Sequence, residues 1–149
     1  MPITFVNYMK TLVDDVRALT RAEFDSDTPG VATLIGDLKS LTNQPQIVID
    51  PVSKLTDSEF AIDKKKIDMT LDLFCYLYDG NQENGIIRIT DMTERLEQLL
   101  LNNKKYPAAS GLSWDNSFVG DISYGIRQNG NDFLRASRLR WRAVRYLAR

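Results

Sequence analysis

A twelve-residue stretch of strictly alternating side chains carries the clearest structural signal in the chain. Residues 67–78, IDMTLDLFCYLY, have apolar side chains at every odd position and polar or aromatic side chains at every even position. Successive side chains of a β-strand point to opposite faces, so this pattern predicts a long strand with one buried face. The residues expected on that face are Ile67, Met69, Leu71, Leu73, Cys75 and Leu77.

Two further segments repeat apolar residues at steps of three and four, which predicts amphipathic helices. The first helix is expected over residues 4–24, with Thr4 as its N-cap and the turn residues of 25–30 at its end. The second is expected over 86–102, after the turn cluster DGNQENG. Their apolar stripes are Phe5, Met9, Leu12, Val13, Val16 and Leu19 in the first helix and Ile89, Met92, Leu96, Leu99 and Leu100 in the second.

The residues between the first helix and the alternating strand give weaker patterns. Residues 31–42 are apolar but poorly periodic, and they fit either a short helix or an irregular cover. Residues 45–55 are β-branched at their centre and predict a strand, in which Pro51 indicates an edge or an interruption because it lacks an N–H for the ladder. The polar residues 56–63 are expected to form an exposed, mobile loop.

A long loop is expected over residues 106–131, which are rich in Gly, Ser and Asn. A short strand is expected within it at 117–124. Loops of this length in a compact domain are usually functional or disordered. The large aromatic residues in this loop are therefore the candidate contacts with a partner, namely Trp114, Phe118 and Tyr124.

The last residues of the chain, FLRASRLRWRAVRYLAR, fit two structures. As a helix, they place arginines at steps of three and four in a single basic stripe. As a strand, they alternate Arg138, Arg140 and Arg142 with apolar residues, and a bulge is then needed at 143–144. The strand is favoured because Trp141 and its aromatic and β-branched neighbours prefer strands, and because RQNGNDF has the composition of a hairpin turn.

Charge is divided unevenly between this tail and the rest of the chain. Residues 133–149 hold six arginines and no acid, while the remaining residues carry 13 bases and 20 acids. The division indicates separate partners or a head-to-tail contact between copies, unless the tail pairs with acids of its own domain. The candidate residues that face a subunit interface or DNA are Arg138, Arg140, Arg142 and Arg145.

The arginines leave two other kinds of partner to consider. Beside Trp141 and Tyr146 they could neutralise phosphates while the rings stack on bases, so a small nucleic-acid-binding module is an alternative. A basic helix lying on a membrane would need an uninterrupted apolar face. Arg140 interrupts that face, so membrane binding is not expected.

Length and composition fit one ordinary domain over residues 1–149. The hydrophobic fraction of 43% is close to that of globular proteins and is enough for a core without disulfides or metals. No apolar run approaches the ~20 residues of a spanning helix, and no signal peptide is recognisable. An intracellular, soluble protein is expected.

The inventory of reactive side chains argues against an enzyme. The chain has no histidine and one cysteine, Cys75, which lies on the apolar face of the alternating strand and is expected to be buried. Asp68 and Asp72 share the other face and could serve acid–base chemistry or bind a divalent ion, although an exposed sheet face is favoured. No nucleotide-binding, zinc or metalloprotease motif occurs. We therefore expect no catalysis, no cofactor and no metal.

The order of predicted elements is helix, strand, polar loop, long alternating strand, amphipathic helix, long loop and C-terminal strand. This order, the length, the lack of histidine and cysteine chemistry and the strand RLRWRAVRY together resemble the small tail-terminator (tail-completion) proteins of long-tailed bacteriophages. The resemblance covers residues 5–146 and rests on the order of elements and the texture of the strands. Residues 25–44 have no counterpart in that pattern.

The resemblance implies an α+β fold with a small, mainly antiparallel β-sheet and amphipathic helices packed on it. It implies a structural virion protein of the tail or neck, assembled in the host cytoplasm, whose copies form a ring that is usually a hexamer. Such a ring caps the tail tube protein, joins the tail to the head connector protein and allows passing contact with DNA in its lumen. The head–tail connector and neck proteins share this size and composition and are the alternative.

Overall fold

A computed structural model of the chain describes residues 2–27, 30–36, 44–108, 111–129 and 132–148. Within these residues the chain forms two helices and seven strands. In chain order they are α1 (Tyr8–Phe24), β1 (Ala32–Ile35), β2 (Gln46–Ala61), β3 (Lys64–Asp79), α2 (Gln82–Leu101), β4 (Tyr106–Ala108), β5 (Gly111–Trp114), β6 (Asn116–Asn129) and β7 (Asp132–Ala148).

Five of the strands form one sheet in the order β1-β2-β3-β7-β6. β1 runs parallel to β2, and every other neighbouring pair in this sheet is antiparallel. The strands β4 and β5 pair separately as a small antiparallel hairpin. The mainly antiparallel sheet with two helices packed on it confirms the predicted α+β class.

The alternating stretch lies at the centre of the sheet as β3, between β2 and β7. Its apolar side chains are buried as predicted, and they form one hydrophobic cluster with side chains from both helices, β7 and the β4–β5 hairpin. Both helices and this hairpin therefore cover the same face of the sheet, which we call the helix face. Its largest fully buried side chains include Trp114, Trp141, Phe24, Leu12 and Leu96.

The first helix begins later than its apolar stripe suggests. Asn7, and not Thr4, is the N-cap, because its side-chain carbonyl accepts the backbone N–H of Lys10 at 3.0 Å. Phe5 therefore lies before the helix, outside any helix or strand, and is 77% exposed. The stripe from Leu12 onward is buried as predicted, and α1 ends at Phe24 before the predicted turn residues.

The region between α1 and β3 contains more strand than predicted. Within the segment 31–42, which was predicted to be a short helix or an irregular cover, Ala32–Ile35 instead forms the parallel strand β1. Residues 37–43 lie outside the described chain. The predicted interruption at Pro51 is confirmed by a shift in register between Pro51 and Ser53. The loop predicted at 56–63 is wrong for residues 56–61, which belong to β2, but residues 56–60 are exposed as predicted and a turn follows at 62–63.

The predicted long loop at 106–131 is also mostly strand. β6 runs from Asn116 to Asn129 and pairs with β7, so the expected short strand is longer than predicted at both ends. The tail is a strand and not a helix, as favoured, and it pairs with β3 in unbroken register from Phe133 to Ala148. The bulge predicted at 143–144 is absent from that pairing. The irregularity lies instead on β6, between Val119 and Ile122.

Candidate assembly surface

One face of the five-stranded sheet carries no helix or hairpin in the described part of the chain. We call it the open face. It bears the even-numbered side chains of β3 and β7, because the odd-numbered ones point into the core. Along β3 these side chains are Asp68, Thr70, Asp72, Phe74, Tyr76 and Tyr78.

The candidate arginines of β7 divide between the two faces. Arg138, Arg140 and Arg142 lie on the open face, opposite Phe74, Asp72 and Thr70 of β3. Arg145 lies on the helix face, where its guanidinium is 5.2 Å from the centre of the Tyr8 ring. Because β7 has no bulge against β3, Arg145 keeps the phase of the buried residues and is not part of the same surface.

Arg140 is neutralised within its own chain. Its Nε donates to Oδ1 of Asp72 at 2.9 Å and its Nη2 donates to Oδ2 at 3.1 Å, so both carboxylate oxygens are engaged. These hydrogen bonds, followed by the attraction of the Asp72 charge, raise the pKa of Arg140. The Asp72 side chain is 9% exposed, so Arg140 supplies the charge partner of a largely buried carboxylate.

Arg142 has weaker partners and is more exposed. Its Nε is 3.6 Å from Oδ1 of Asp68, and its guanidinium carbon is 4.6 Å from the centre of the Phe118 ring on β6. Acidic and aromatic groups of neighbouring strands therefore hold two of the three open-face arginines. The tail pairs in part with acids of its own domain, which was one of the two interpretations of its charge.

The pair Arg140–Asp72 should contribute more to stability than the pair Arg142–Asp68. Arg140→Ala would leave the Asp72 carboxylate buried and directly opposite Asp50 of β2, a like charge. We expect Arg140→Ala to lower the urea midpoint more than Arg142→Ala does. A double-mutant cycle with Asp72→Asn should give a favourable coupling energy, and strict additivity would show that the pair contributes nothing.

Arg138 borders a shallow depression in the open face. The depression has a volume of about 370 Å³. Its floor is formed by Gly125 and Ala136, which face each other across β6 and β7, and its wall includes the rings of Phe74 and Tyr76. A side chain at Gly125 would meet nothing within 4 Å, so the space above the floor is open.

The side chains around this depression are suited to hold a group from another molecule. The rings of Phe74 and Tyr76 stack with their centres 6.0 Å apart. Burial, followed by the charge of Asp50, raises the pKa of Tyr76, so its hydroxyl stays protonated and can donate. Nε of Arg138 is buried and has no hydrogen-bond partner in the described residues. An acidic or planar group could therefore bind beside these rings.

The three aromatic residues predicted to contact a partner have different environments. Trp114 is fully buried: it stacks on Tyr106 at 4.7 Å, meets Trp141 edge-on at 5.0 Å and donates its Nε1–H to the Asn103 carbonyl at 2.8 Å. It is a core residue, and its prediction as a partner contact is wrong. Phe118 is exposed on the open face beside Arg142, where it remains a candidate.

Tyr124 is exposed, and although it lies next to the depression that Arg138 borders, its side chain points to the other face of the sheet. It is opposite Ser137 on β7, so its side chain is on the helix face beside α2. Burial, then the charges of Glu94 and Glu97, raises the pKa of its hydroxyl, which hydrogen-bonds to Thr93. Tyr124 is therefore part of the contact between β6 and α2 rather than of the open face.

The geometry gives little support to chemistry at the paired acids. Asp68 and Asp72 are four residues apart on one strand, so about 13 Å of strand separates them, too far to share a proton or an ion. No cluster of three potential metal ligands is found among the described residues. Cys75 is buried, as predicted, and its burial raises the pKa of the thiol to about 11.

No family model matches the chain, and no curated protein matches it significantly. No helix in the described segments is long and apolar enough to span a membrane.

Sequence reasoning found the arginines of the open face but not the depression. The even positions of the alternating stretch placed Phe74 and Tyr76 on one face, which was the available signal. Gly125 and Ala136 come next to these rings only through pairing between strands that are distant along the chain. The sequence does not show which strands are neighbours in the sheet.

Proposed function

We propose that this chain is a structural subunit whose copies assemble into a ring, as do the tail-terminator proteins of long-tailed bacteriophages. In a virion, such a ring would cap the tail tube and join it to the head connector. The observation that carries the proposal is the open face of the sheet, where exposed aromatic rings and arginines lie together without a covering element in the described chain.

Three features support a protein neighbour on this face. Arg138 lines the depression and, unlike Arg140 and Arg142, forms no ion pair with the described residues, so an acidic group from outside could pair with its guanidinium. Arg140 and Arg142 already face acids of β3, which lowers the positive potential available for phosphates. The α+β fold agrees with the family that the sequence resembles, but a fold alone does not give function, so the surface carries the argument.

The mass of the purified protein tests the proposal. We expect concentration-dependent assembly, and six copies of the 17.0 kDa chain would give a ring of about 102 kDa, visible by negative-stain electron microscopy. Arg138→Glu should shift the equilibrium toward monomer, because it places a negative charge beside Tyr76 and removes the unpaired donor. Arg21→Glu makes the same charge change on the exposed side of α1 and should leave assembly unchanged.

A protein that stays monomeric at high concentration, both alone and with tail tubes, would refute the proposal. The tail-terminator and connector or neck roles differ in the partner that is bound. A terminator ring should co-sediment with tail tubes that lack a cap. A connector or neck ring should instead bind the portal end of filled heads.

A second candidate, a nucleic-acid-binding module, is favoured by the stacked rings of Phe74 and Tyr76 next to Arg138. Aromatic rings beside arginines on an exposed sheet can stack single-stranded bases. This function predicts binding of single-stranded oligonucleotides at low salt, weakened by Arg138→Gln and falling steeply as salt rises. No binding at low salt would exclude it.

A further inference from the structure

The outer edge of β2 is unpaired over most of its length. β1 pairs with β2 only from Gln46 to Ile49. From Asp50 to Phe60 no described strand lies on that side. Pro51 has no N–H, and the Glu59 N–H donates to the Asp57 carboxylate at 3.1 Å, so the regular part of the edge without a ladder partner is Ser53–Asp57. An open strand edge of this kind is a template for an added strand.

The side chains along this edge include exposed hydrophobic residues. Leu55 is 71% exposed and Val52 is more than two-fifths exposed. The Phe60 ring instead packs against Tyr146 of β7, with ring centres 5.3 Å apart. Only Lys54 adds a positive charge of the kind that protects an edge strand from pairing. The edge is therefore both unpaired and apolar at several positions.

A short apolar segment leaves the molecule near this edge. Residues 2–7, PITFVN, precede α1 and belong to no helix or strand, and Ile3, Phe5 and Val6 are all largely exposed. The segment ends at Tyr8, whose ring centre is 5.5 Å from the Lys54 ammonium of β2. The segment and the edge thus lie at the same end of the molecule, yet residues 2–7 do not pair with β2 of their own chain.

We propose that residues 2–7 of one copy add as a strand to the outer edge of β2, along Ser53–Asp57, in a second copy. The proposal rests on the self-assembly proposed above and names the contact that links neighbours. Donor and acceptor are different surfaces of the same chain, so the contact is heterologous and closes into a ring when the rotation permits. Backbone hydrogen bonds would provide the pairing, and Ile3 and Phe5 would cover apolar residues of the edge.

The size of the contact indicates how it would behave. The five apolar side chains involved are Ile3, Phe5, Val6, Val52 and Leu55. At roughly 60–120 Å² of apolar surface per side chain, and with about two-thirds of it exposed, they offer about 200–400 Å². Interfaces are about 57% apolar, so the whole contact would bury about 350–700 Å², less than the ~1,000 Å² of a stable pair.

A single such contact would therefore be transient, whereas a closed ring gives every copy two of them. Dissociation of one copy from a ring requires both contacts to break, so assembly should be cooperative in concentration. Cooperative self-assembly distinguishes this proposal from the alternative that the edge of β2 binds an unrelated peptide, which would not make copies of the chain assemble.

Cysteine cross-linking tests the contact, because the native Cys75 is buried and unreactive. Phe5→Cys and Leu55→Cys are made as separate variants, mixed, and treated with a short bis-maleimide. We expect a cross-linked heterodimer at about tenfold the yield of a control mixture of Phe5→Cys with Tyr124→Cys, because bound neighbours raise the effective concentration of the thiols. Equal yields in the two mixtures would overturn the proposal.

The same variants combined in one chain show whether the strand is added within or between copies. A ladder of covalent multimers supports the contact between copies. Cross-linking confined to the monomer means that the segment folds onto its own β2, and this outcome overturns the proposal.

Light scattering separates this inference from the proposed ring. If the unmodified protein assembles and the triple variant Ile3→Ser, Phe5→Ser, Val6→Ser is monomeric with unchanged unfolding, the inference stands. If the triple variant assembles as before, the inference fails while the ring proposal survives. If cross-linked chains form open filaments and never rings, the proposed ring is refuted, but the proposed contact between residues 2–7 and β2 is supported.

Discussion

Trp141→Ala is expected to lower the free energy of unfolding by about 3–5 kcal/mol, the usual range for removing a buried tryptophan. Trp141 is fully buried in β7 and meets the edge of Trp114 at 5.0 Å. Its removal would leave a large cavity between the sheet and the β4–β5 hairpin. Because typical domains are stable by only about 5–15 kcal/mol, this variant would be close to unfolding at 37 °C.

Trp114→Ala should have an effect of similar size, because Trp114 would lose Trp141, Tyr106 and the hydrogen bond to Asn103. The double variant should lose less than the sum of the two, since each ring forms part of the other's cavity. Trp141→Phe should be much milder, because Nε1 of Trp141 is buried without a hydrogen-bond partner in the described chain.

Guanidinium unfolding followed by far-UV circular dichroism measures these effects, since the chain has two tryptophans and the double variant retains neither. Phe118→Ala is the matched control, because it removes an exposed ring and should change stability by less than about 1 kcal/mol. If Trp114→Ala were as stable as the unmodified protein and only lost binding to a partner, Trp114 would be a surface contact and not a core residue.

The second large effect is a loss of stability at alkaline pH that depends on Cys75. Its thiol is fully buried between β3 and α2, and burial raises its pKa from 9.0 to about 11, against the opposing hydrogen bonds with Ser137 and Thr93. Between these pH values the unfolded chain loses the thiol proton and the folded chain keeps it. The unfolded state then binds fewer protons, so stability falls as the pH rises.

The resulting loss in the free energy of unfolding is complete above pH 11. It amounts to about 3 kcal/mol, because the pKa differs by two units between the unfolded and the folded chain. Tyrosines and lysines also titrate in this range, so the measurement is the difference between the unmodified protein and Cys75→Ala. At pH 8 the unmodified protein should be the more stable. Its advantage should shrink by about 2 kcal/mol by pH 11, where the folded thiol is half ionised. A difference that is constant with pH would show that the thiol ionises as easily in the folded protein.

The sequence predicted the central strand and the second helix because their side-chain periods are tied directly to burial. The odd residues of β3 from Ile67 to Leu77 enter the core without exception, and α2 buries Ile89, Met92 and Leu96 as expected. Periodicity does not define where an element begins. Phe5 has the spacing of the α1 stripe, but the Asn7 cap starts the helix after it.

Polar strands were missed for a different reason. The end of β2 and most of β6 are exposed, so their pairing is made by backbone groups that every residue carries. Residues 56–61 and the Gly-rich part of β6 have no side-chain pattern that reports this pairing. Trp114 was misplaced because only tertiary packing shows that a tryptophan among glycines and serines is buried under a hairpin.

The candidate surface was predicted in part. Alternation placed Arg138, Arg140 and Arg142 on one face, and the structure confirms that placement. The partnership of Arg140 with Asp72 depends on the register between two strands that are far apart along the chain, and local sequence does not determine such a register.

The sheet order also determines when the protein can fold. β3 pairs with β7 along its full length. The pairing begins with Lys64 opposite Ala148 and ends with Asp79 opposite Phe133. About fifty residues separate the two strands, and at 5–20 residues per second a ribosome needs about 3–10 s to make them. During that time the most apolar strand has one edge without its neighbour. The nascent chain is therefore most prone to aggregate in this interval, and the core closes only when β7 has been synthesised.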